Sequence, residues 1–211
     1  AGSLTARERR LVTLAAVTAG PALEDLDGHV ADALASGDLS IEELLELALH
    51  FAVYGGWPRA SHLELAVTTQ WARLHTERGE AIPPFPTLDA DTSTGADRRA
   101  AGLAKFEEVN RFGAPPVDTP LRLSVVEWVF GDLWLRPGLA RRDRRLVSIT
   151  TVAMGASPFP LSVHVTSALH SGDLALSDID AIVALVATHG DDTRADALRA
   201  AAEAGWATRP A

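Results

Sequence analysis

"LDGHVADALASGDLSIEELLELALHFAVYGGWPRA", residues Leu26 to Ala60, is the stretch that decides the fold. Apolar residues recur in it every three or four positions, as they do along the buried face of an α-helix. Gly37 and the pair Gly55-Gly56 interrupt this pattern, and glycine commonly ends a helix because it adopts the left-handed conformation easily. Ser40 is a typical N-cap, and Pro58 suits a first helical turn. The stretch therefore predicts successive short helices, with no strand between them.

Part of this stretch occurs twice in the chain. "ALASGDL" at Ala33–Leu39 corresponds to "ALHSGDL" at Ala168–Leu174, and "LTARERRLV" from Leu4 corresponds to "LARRDRRLV" from Leu139. The offset is 135 residues in each case and holds without a gap. Such a repeat indicates a tandem duplication of one helical unit.

No alternating apolar and polar run of strand length is present, so we predict an all-α protein. A first unit is expected at residues 1–78 and a second at 97–211, joined by a linker at 79–96 that is rich in proline and small polar residues. Helices predicted around 96–112 and 119–135 have no counterpart before Leu4. The first unit is therefore either shorter than the second or lacks an N-terminal segment.

Composition excludes several kinds of chemistry. The chain has no cysteine, which removes thiolate nucleophiles, disulfides and redox pairs. Its net charge of −9 argues against nucleic-acid binding, which needs a basic surface. No histidines show the helical spacing of a metal-ligand pair, so no metal is expected. There is neither an apolar run of about twenty residues nor a leader, so we expect a cytoplasmic protein without a membrane span.

Polar side chains share one face of the helix predicted after Ser40. At about 100° per residue, Glu46, His50 and Tyr54 lie together opposite the apolar stripe. Tyr54 is the only tyrosine in the chain. A polar helix face is often simply solvated, but Leu185 occupies the position of His50 in the second unit, which favours a face covered by protein. We therefore predict that His50 and Tyr54 are buried and functional.

His29 has two interpretations. Asp25 precedes it by one helical turn, and a carboxylate there can hold one ring nitrogen and leave the other free for acid–base work. The second unit has Pro160 at the position of Asp25, so this dyad would exist once. A histidine beside an apolar stripe can equally be an ordinary core residue, and the repetition of the position as His164 fits that interpretation.

Other residues have candidate roles next to this group. Trp57 and Phe51 could supply the apolar wall of a pocket, or they could be ordinary packing residues. The arginine-rich segments Arg7–Arg10 and Arg141–Arg145 are expected to form ion pairs between units or subunits. One of these arginines could instead hold a substrate carboxylate, since a guanidinium binds carboxylates in a bidentate way.

Two stretches resemble a known family. "FGDLWLRPGLARRDRRLVSITTVAMG" (Phe130–Gly155) and the Leu26–Ala60 stretch are similar to proteins of the carboxymuconolactone decarboxylase family. The wider superfamily includes thiol peroxidases related to alkyl hydroperoxidase D, which carry Cys-x-x-Cys followed by three residues and then a histidine. The positions of the two cysteines correspond here to Ala22 and Asp25 before His29, and to Ser157 and Pro160 before His164. Peroxidase chemistry is therefore excluded.

The resemblance implies a duplicated helical fold, a ring-like homo-oligomer (most simply a trimer) and a cofactor-free lyase or isomerase acting on a small carbonyl or lactone acid. In this hypothesis Asp25 orients His29 for proton transfer, while His50 and Tyr54 donate to the oxygen of a developing enolate. Two alternatives stay open. One is a cyclase or dehydratase acting on a larger, more apolar biosynthetic intermediate, and the other is a non-catalytic ligand-binding or scaffold oligomer.

Overall fold

A computed structural model of the protein describes residues 4–21, 23–86 and 94–210. All regular secondary structure in these residues is helical, which confirms the predicted all-α fold. Ala22 and residues 87–93 of the expected linker lie outside the described residues. The proposed unit boundaries at 78 and 97 stay predictions.

The first repeat consists of four helices, which are α1 (Ala6–Ala19), α2 (Leu26–Ser36), α3 (Ile41–Gly55) and α4 (Trp57–Glu77). Thr5 and Glu8 cap α1 reciprocally, each side chain bonding the backbone N–H of the other residue. Gly56 lies between α3 and α4 with φ 91°, a conformation that favours glycine and breaks the helix there.

The rest of the chain begins with α5 (Gly95–Asn110) and α6 (Pro120–Ser124). A π-helical turn, Val125–Phe130, continues α6, and a 3₁₀ turn covers Leu133–Leu135, so the long helix predicted over 119–135 is broken into three pieces. We call residues 95–135 the non-repeated segment. The second repeat follows as α7 (Arg141–Met154), α8 (Pro158–Ser171), α9 (Leu176–His189) and α10 (Asp192–Ala207).

The two repeats pack through their first and third helices. Helix α1 packs against its counterpart α7, while α3 packs on α7 and α9, the counterpart of α3, packs on α1. Helix α7 is the most enclosed element, because every residue from Asp143 to Met154 is buried. The polar face of α3 therefore meets the other repeat and not solvent. No helix in the described part of the chain is long and apolar enough to cross a membrane.

Two arginines at equivalent repeat positions join the repeats in the same way, as the arginine-rich segments predict. Each pairs with one acid in its own repeat and one in the other. The pairs are Arg7 with Glu43 (2.5 Å) and Asp143 (2.7 Å), and Arg142 with Asp178 (2.8 Å) and Glu8 (2.6 Å). This pseudo-symmetric network aligns the two repeats along α1 and α7.

Helix α5 packs directly on the π-helical turn. A Cβ atom at Gly102 would overlap the carbonyl oxygen of Val126, so only glycine permits this approach. The contact fixes the π-helical turn, whose Val125 and Val129 side chains line a cavity beside α3. The non-repeated segment thus forms a wall over one end of the interface between the repeats.

Candidate active site

The polar face of α3 is buried as predicted. Glu46 and His50 are fully buried, and Tyr54 is partly buried at the end of the helix. The covering residues come mainly from α7, where Arg144 and Ser148 lie one turn apart and are themselves enclosed. Burial of charged and hydrogen-bonding groups is costly unless they are paired, so their partners define what the site can do.

His50 is held in one tautomer. Arg144 Nη1 lies 3.1 Å from His50 Nδ1, and Ser148 Oγ lies 2.9 Å from His50 Nε2. Because a guanidinium only donates hydrogen bonds, Nδ1 accepts from Arg144, and the proton of the neutral ring resides on Nε2 and points at Ser148. Burial, followed by the charge of Arg144, lowers the pKa of His50 well below its ordinary 6.5. The ring is therefore a neutral donor to Ser148.

Arg144 is positioned by a buried ion pair. Its Nη2 donates to Glu46 at 2.9 Å and to the carbonyl oxygen of Arg136 at 2.8 Å, and Arg136 Nε donates to the other oxygen of Glu46 at 3.1 Å. Burial lowers the pKa of Arg144, and the interaction with Glu46 opposes that effect. Glu46 thus fixes the guanidinium that sets the tautomer of His50.

The phenol of Tyr54 has two hydrogen-bonding neighbours. Trp134 Nε1 donates to Tyr54 Oη at 2.9 Å, and the hydroxyl of Ser148 is a second hydrogen-bonding neighbour of the phenol. Burial raises the pKa of Tyr54 above 10, although Trp134, Ser148 and the nearby cations oppose the rise. Tyr54 also faces the cavity, so its O–H lies between two possible acceptors, the hydroxyl oxygen of Ser148 and a ligand in the cavity.

His164 of α8 completes the group from the other repeat. Its ring meets the ring of Tyr54 edge to face, with centroids 5.0 Å apart. Its Nδ1 is buried without a hydrogen-bond partner, unlike that of a satisfied core histidine. Burial, with a further contribution from Arg145, lowers the pKa of His164 to about 3. The imidazole is therefore neutral at neutral pH, with its hydrogen-bonding capacity unused within the described chain.

A cavity of about 590 Å³ adjoins Tyr54 and His164. Ser157 and Pro160, at the positions that correspond to the two peroxidase cysteines, also line it. Ala156, just before Ser157, has φ 48°, a strained conformation for alanine of the kind often found at functional sites. The remaining wall is mainly apolar, and more than half of the lining residues belong to the non-repeated segment.

Asp25 and His29 lie elsewhere and do not form the predicted dyad. Asp25 belongs to an exposed 3₁₀ turn that precedes α2, and no hydrogen bond joins it to His29 in the described chain. His29 instead faces His189 of α9, with ring centroids 5.8 Å apart. Neither residue lines the Tyr54 cavity. No group of three or more His, Asp or Glu side chains among the described residues could hold a metal ion.

Phe51 and Trp57, the expected apolar wall, are also placed away from this cavity. Phe51 is fully buried in the core of the first repeat and packs over Gly55. Trp57 begins α4, is 59% exposed and stacks on Trp128 at 6.4 Å. The wall comes instead from Phe106, Phe130 and other residues of the non-repeated segment.

Sequence reasoning missed Ser148, Trp134 and the site role of His164. Ser148 has Thr13 as its repeat counterpart, so the comparison of units showed a hydroxyl in both and gave no signal. Trp134 lies in the non-repeated segment and had no counterpart to compare. The sequence did indicate His164, because it follows Ser157 and Pro160, the positions that correspond to the peroxidase cysteines, at the spacing of the superfamily motif.

The sequence matches the Carboxymuconolactone decarboxylase family over residues 1–69 and 121–204, which together make up well over half of the chain. The two segments fit a duplicated form, and they contain Tyr54, His164 and Ser148. Residues 70–120, which include Phe106 and Asn110 of the cavity wall, lie outside the match. No curated protein matches the sequence. The chain belongs to the carboxymuconolactone decarboxylase family.

Proposed function

We propose that the protein is an enzyme, a lyase or isomerase, that moves a proton on a carbonyl substrate in the Tyr54 cavity by side-chain acid–base chemistry. The observation that supports this most directly is the phenol of Tyr54. Its oxygen accepts from Trp134, and in this proposal it accepts from Ser148 as well, which leaves its own proton for a ligand in the cavity. A donor aimed at the place where charge develops stabilises a transition state without reorganisation.

In the proposed reaction, a substrate carbonyl oxygen accepts a hydrogen bond from Tyr54. His164 removes a proton from the carbon next to the carbonyl, and the electron pair of the C–H bond moves to the oxygen as an enolate forms. Loss of a carboxylate as carbon dioxide would deliver an electron pair to the same oxygen, and the family name agrees with that variant. The enolate is then protonated to give the product.

Buried cations stabilise the negative charge of the enolate. Arg144 and Arg145 are almost completely buried, and both lower the pKa of Tyr54 against the larger effect of burial. Arg145 pairs with Asp173 through Nε, and its Nη1 is buried without a hydrogen-bond partner. The environment of His164 disfavours its protonated form. The negative charge that develops on the enolate oxygen offsets this cost, because it attracts the imidazolium.

His50 acts in this proposal through Ser148 and not on the substrate. Its Nε2 proton is directed at Ser148 Oγ, so the hydroxyl of Ser148 is free to donate to Tyr54. Thr150 and Thr151 of α7 donate to carbonyl oxygens of their own helix, and in this proposal Ser148 donates to the phenol instead. The chain from His50 to Tyr54 therefore orients the reactive proton toward the cavity.

Proton exchange tests this proposal without knowledge of the natural substrate. We expect the protein to accelerate deuterium uptake next to the carbonyl of 1-tetralone in D₂O, followed by NMR, or carbon dioxide release from γ-carboxymuconolactone. Tyr54→Phe and His164→Gln should each lower the rate by about a hundredfold or more. His62→Gln, on the exposed side of α4, is the matched control and should keep the rate. Full activity of Tyr54→Phe would refute the assignment.

His29→Gln separates this proposal from the one in which Asp25 and His29 form the base. A loss at His29 as large as that at His164 would favour the original dyad. Binding of ligands without any exchange or carbon dioxide release would favour the non-catalytic alternative. A cyclase or dehydratase would use the same proton transfer, so Tyr54→Phe and His164→Gln should slow it as well.

We also propose a homo-oligomer, with a trimer as the simplest ring. Helix α4 supports this proposal because it exposes Trp57 and Leu65, which are 59% and 64% accessible. Large apolar side chains exposed on one helix are typical of surfaces that a partner covers. Light scattering on the purified protein measures the mass, and a monomer at micromolar concentration would contradict the proposal.

A further inference from the structure

We infer that the cavity takes an uncharged aromatic ketone of two or more fused rings and not a small acid. This inference rests on the proposed function, since the ketone oxygen is the group that would meet Tyr54. It goes further by naming the chemical class of the rest of the ligand, which the walls of the cavity determine.

The size of the cavity favours a multi-ring ligand. Its volume of about 590 Å³ lies within the range of about 300–1,000 Å³ typical of sites that enclose drug-sized molecules. A single-ring acid would leave water in much of this space. The apolar lining would then stay in contact with water, and little binding free energy would come from its burial. A ligand with fused rings fills the space and removes the lining from solvent.

The charge of the lining disfavours carboxylates. Arg122 is the one charged residue among the described lining residues, and it is exposed and already paired with Asp118 at 2.6 Å. His164 is neutral, because burial lowers its pKa to about 3. Arg144 and Arg145 are not part of the lining, and each is paired with a carboxylate. In the buried part of the cavity, beside Tyr54 and His164, a ligand carboxylate would therefore lose its hydration without gaining an ion pair.

The walls are suited to aromatic rings. Phe106 and Phe130 line the cavity and meet each other edge to face with centroids 4.9 Å apart. Phe112 and Phe159 also line it and remain 49% and 78% exposed. Large exposed aromatic side chains beside a cavity are typical of ligand-binding sites, and aromatic pairs prefer such edge or offset contacts.

Asn110 offers a second polar anchor. Its side-chain nitrogen donates to the carbonyl oxygen of Phe106 at 3.1 Å, while its side-chain oxygen makes no hydrogen bond within the described chain. Asn110 lines the cavity together with Tyr54. The two side chains therefore present one donor and one acceptor, which fits a ketone that also carries a hydroxyl group.

Part of the cavity wall lies outside the family match, whereas the reactive group lies inside it. Tyr54 and His164 lie in the part of the chain that matches the family, whereas Phe106, Asn110 and Phe112 lie in residues 70–120, outside the match. The proton-moving residues can therefore follow the family while this part of the wall differs from it. This division explains how a family named for a lactone acid can include an apolar site.

Calorimetric titration tests the ligand class, with 6-hydroxy-1-tetralone as the uncharged two-ring probe and γ-carboxymuconolactone as the small acid. We expect the ketone to bind more tightly than the acid. Val163→Phe places extra volume in the cavity wall and should weaken ketone binding about tenfold or more. Ser162→Phe adds the same side chain to the exposed face of α8 and should leave the affinity unchanged. Circular dichroism checks that both variants keep their helices.

Tighter binding of the acid, or an unchanged ketone affinity in Val163→Phe, would overturn the ligand class. This failure differs from failure of the proposed function. If the ketone binds in the cavity but Tyr54→Phe does not slow proton exchange, the ligand class stands and the acid–base assignment is wrong. If only the lactone acid binds and its turnover depends on Tyr54, the acid–base assignment stands and the ligand class is wrong.

Discussion

Tyr54 and His164 meet edge to face across the interface between the repeats, with ring centroids 5.0 Å apart at 85°. The repeat offset relates this contact to a second one, because His189 corresponds to Tyr54 and His29 corresponds to His164. Those two rings also meet edge to face, at 5.8 Å and 87°. The duplication has therefore produced two pseudo-equivalent contacts in one chain.

The two contacts differ in the residues behind them. The first has His50 and Ser148 in a hydrogen-bonded row, whereas the second has Leu185 and Thr13 at those positions. A leucine cannot continue such a row. Trp134, the donor to Tyr54, lies in the non-repeated segment and has no counterpart in the chain. The chemistry proposed for the first contact therefore cannot be repeated at the second by the same groups.

The bond between Trp134 and Tyr54 should be measurable as a coupling in stability. Tyr54→Phe leaves the buried indole N–H of Trp134 without a partner and should lower the free energy of unfolding by about 1–3 kcal/mol. Trp134→Phe removes the donor and lowers it as well. In urea unfolding, the double variant should lose less than the two single losses added together. Strict additivity would contradict the hydrogen bond.

The sequence predicted much of the architecture because the relevant signals are local. Helix periodicity, the capping box at Thr5 and Glu8 and the 135-residue offset depend on neighbouring residues or on direct comparison. The presence of Leu185 at the position of His50 in the second repeat correctly indicated that this face of α3 is covered by protein. That inference worked because a leucine at the same position of a related helix reports burial without knowledge of the covering element.

The site itself depends on contacts that no local pattern records. Ser148 and His50 are 98 residues apart, and Trp134 and Tyr54 are 80 apart. The dyad of Asp25 and His29 was predicted from helical spacing, but the chain forms a 3₁₀ turn at Asp25 and α2 begins only at Leu26. Asp25 immediately precedes α2 and its side chain is exposed, so spacing along the chain does not by itself bring its carboxylate to the ring of His29.

Removal of the buried charge at Glu46 should be far more damaging than removal of a similar charge at the surface. Glu46→Gln leaves Arg144 buried without its carboxylate and should cost about 3–5 kcal/mol in the free energy of unfolding. Glu43→Gln is the matched control, since its partner Arg7 is about one-third exposed and glutamine also serves in a capping box. We expect it to cost about 0–1 kcal/mol. Equal losses in the two variants would contradict the role assigned to Glu46.

Stability should fall as the pH drops below the ordinary pKa of histidine. The folded pKa of His164 is about 3, against 6.5 in an unfolded chain, so between these values only the unfolded state binds the proton. The contribution of His164 is complete above pH 6.5 and decreases by about 2 kcal/mol from pH 7 to pH 5. His50 acts in the same direction.

Urea unfolding at pH 7, 6 and 5 checks this expectation. His164→Gln should lose less stability between pH 7 and pH 5 than the unaltered protein, whatever its stability at pH 7. The exposed His62→Gln variant should keep the original pH dependence. A pH dependence that is the same in His164→Gln as in the unaltered protein would show that His164 is not a neutral buried group.

Two helical glycines make opposite predictions for substitution by alanine. A Cβ atom added at Gly28, in α2, would have no neighbouring atom within 4 Å, so Gly28→Ala should raise the free energy of unfolding by up to about 1 kcal/mol through helix propensity. At Gly102 the same gain is opposed by overlap with the carbonyl oxygen of Val126. We expect Gly102→Ala to lower stability by about 1–3 kcal/mol, as overpacking does.

The consequence at Gly102 extends to the cavity, because α5 must move away from the π-helical turn that carries Val125 and Val129. Binding of 6-hydroxy-1-tetralone should therefore weaken in Gly102→Ala and stay the same in Gly28→Ala. Unfolding curves and titrations on the two variants measure both effects. A stabilised Gly102→Ala with unchanged ketone affinity would mean that the π-helical turn yields freely, and that the close packing of α5 does not shape the site.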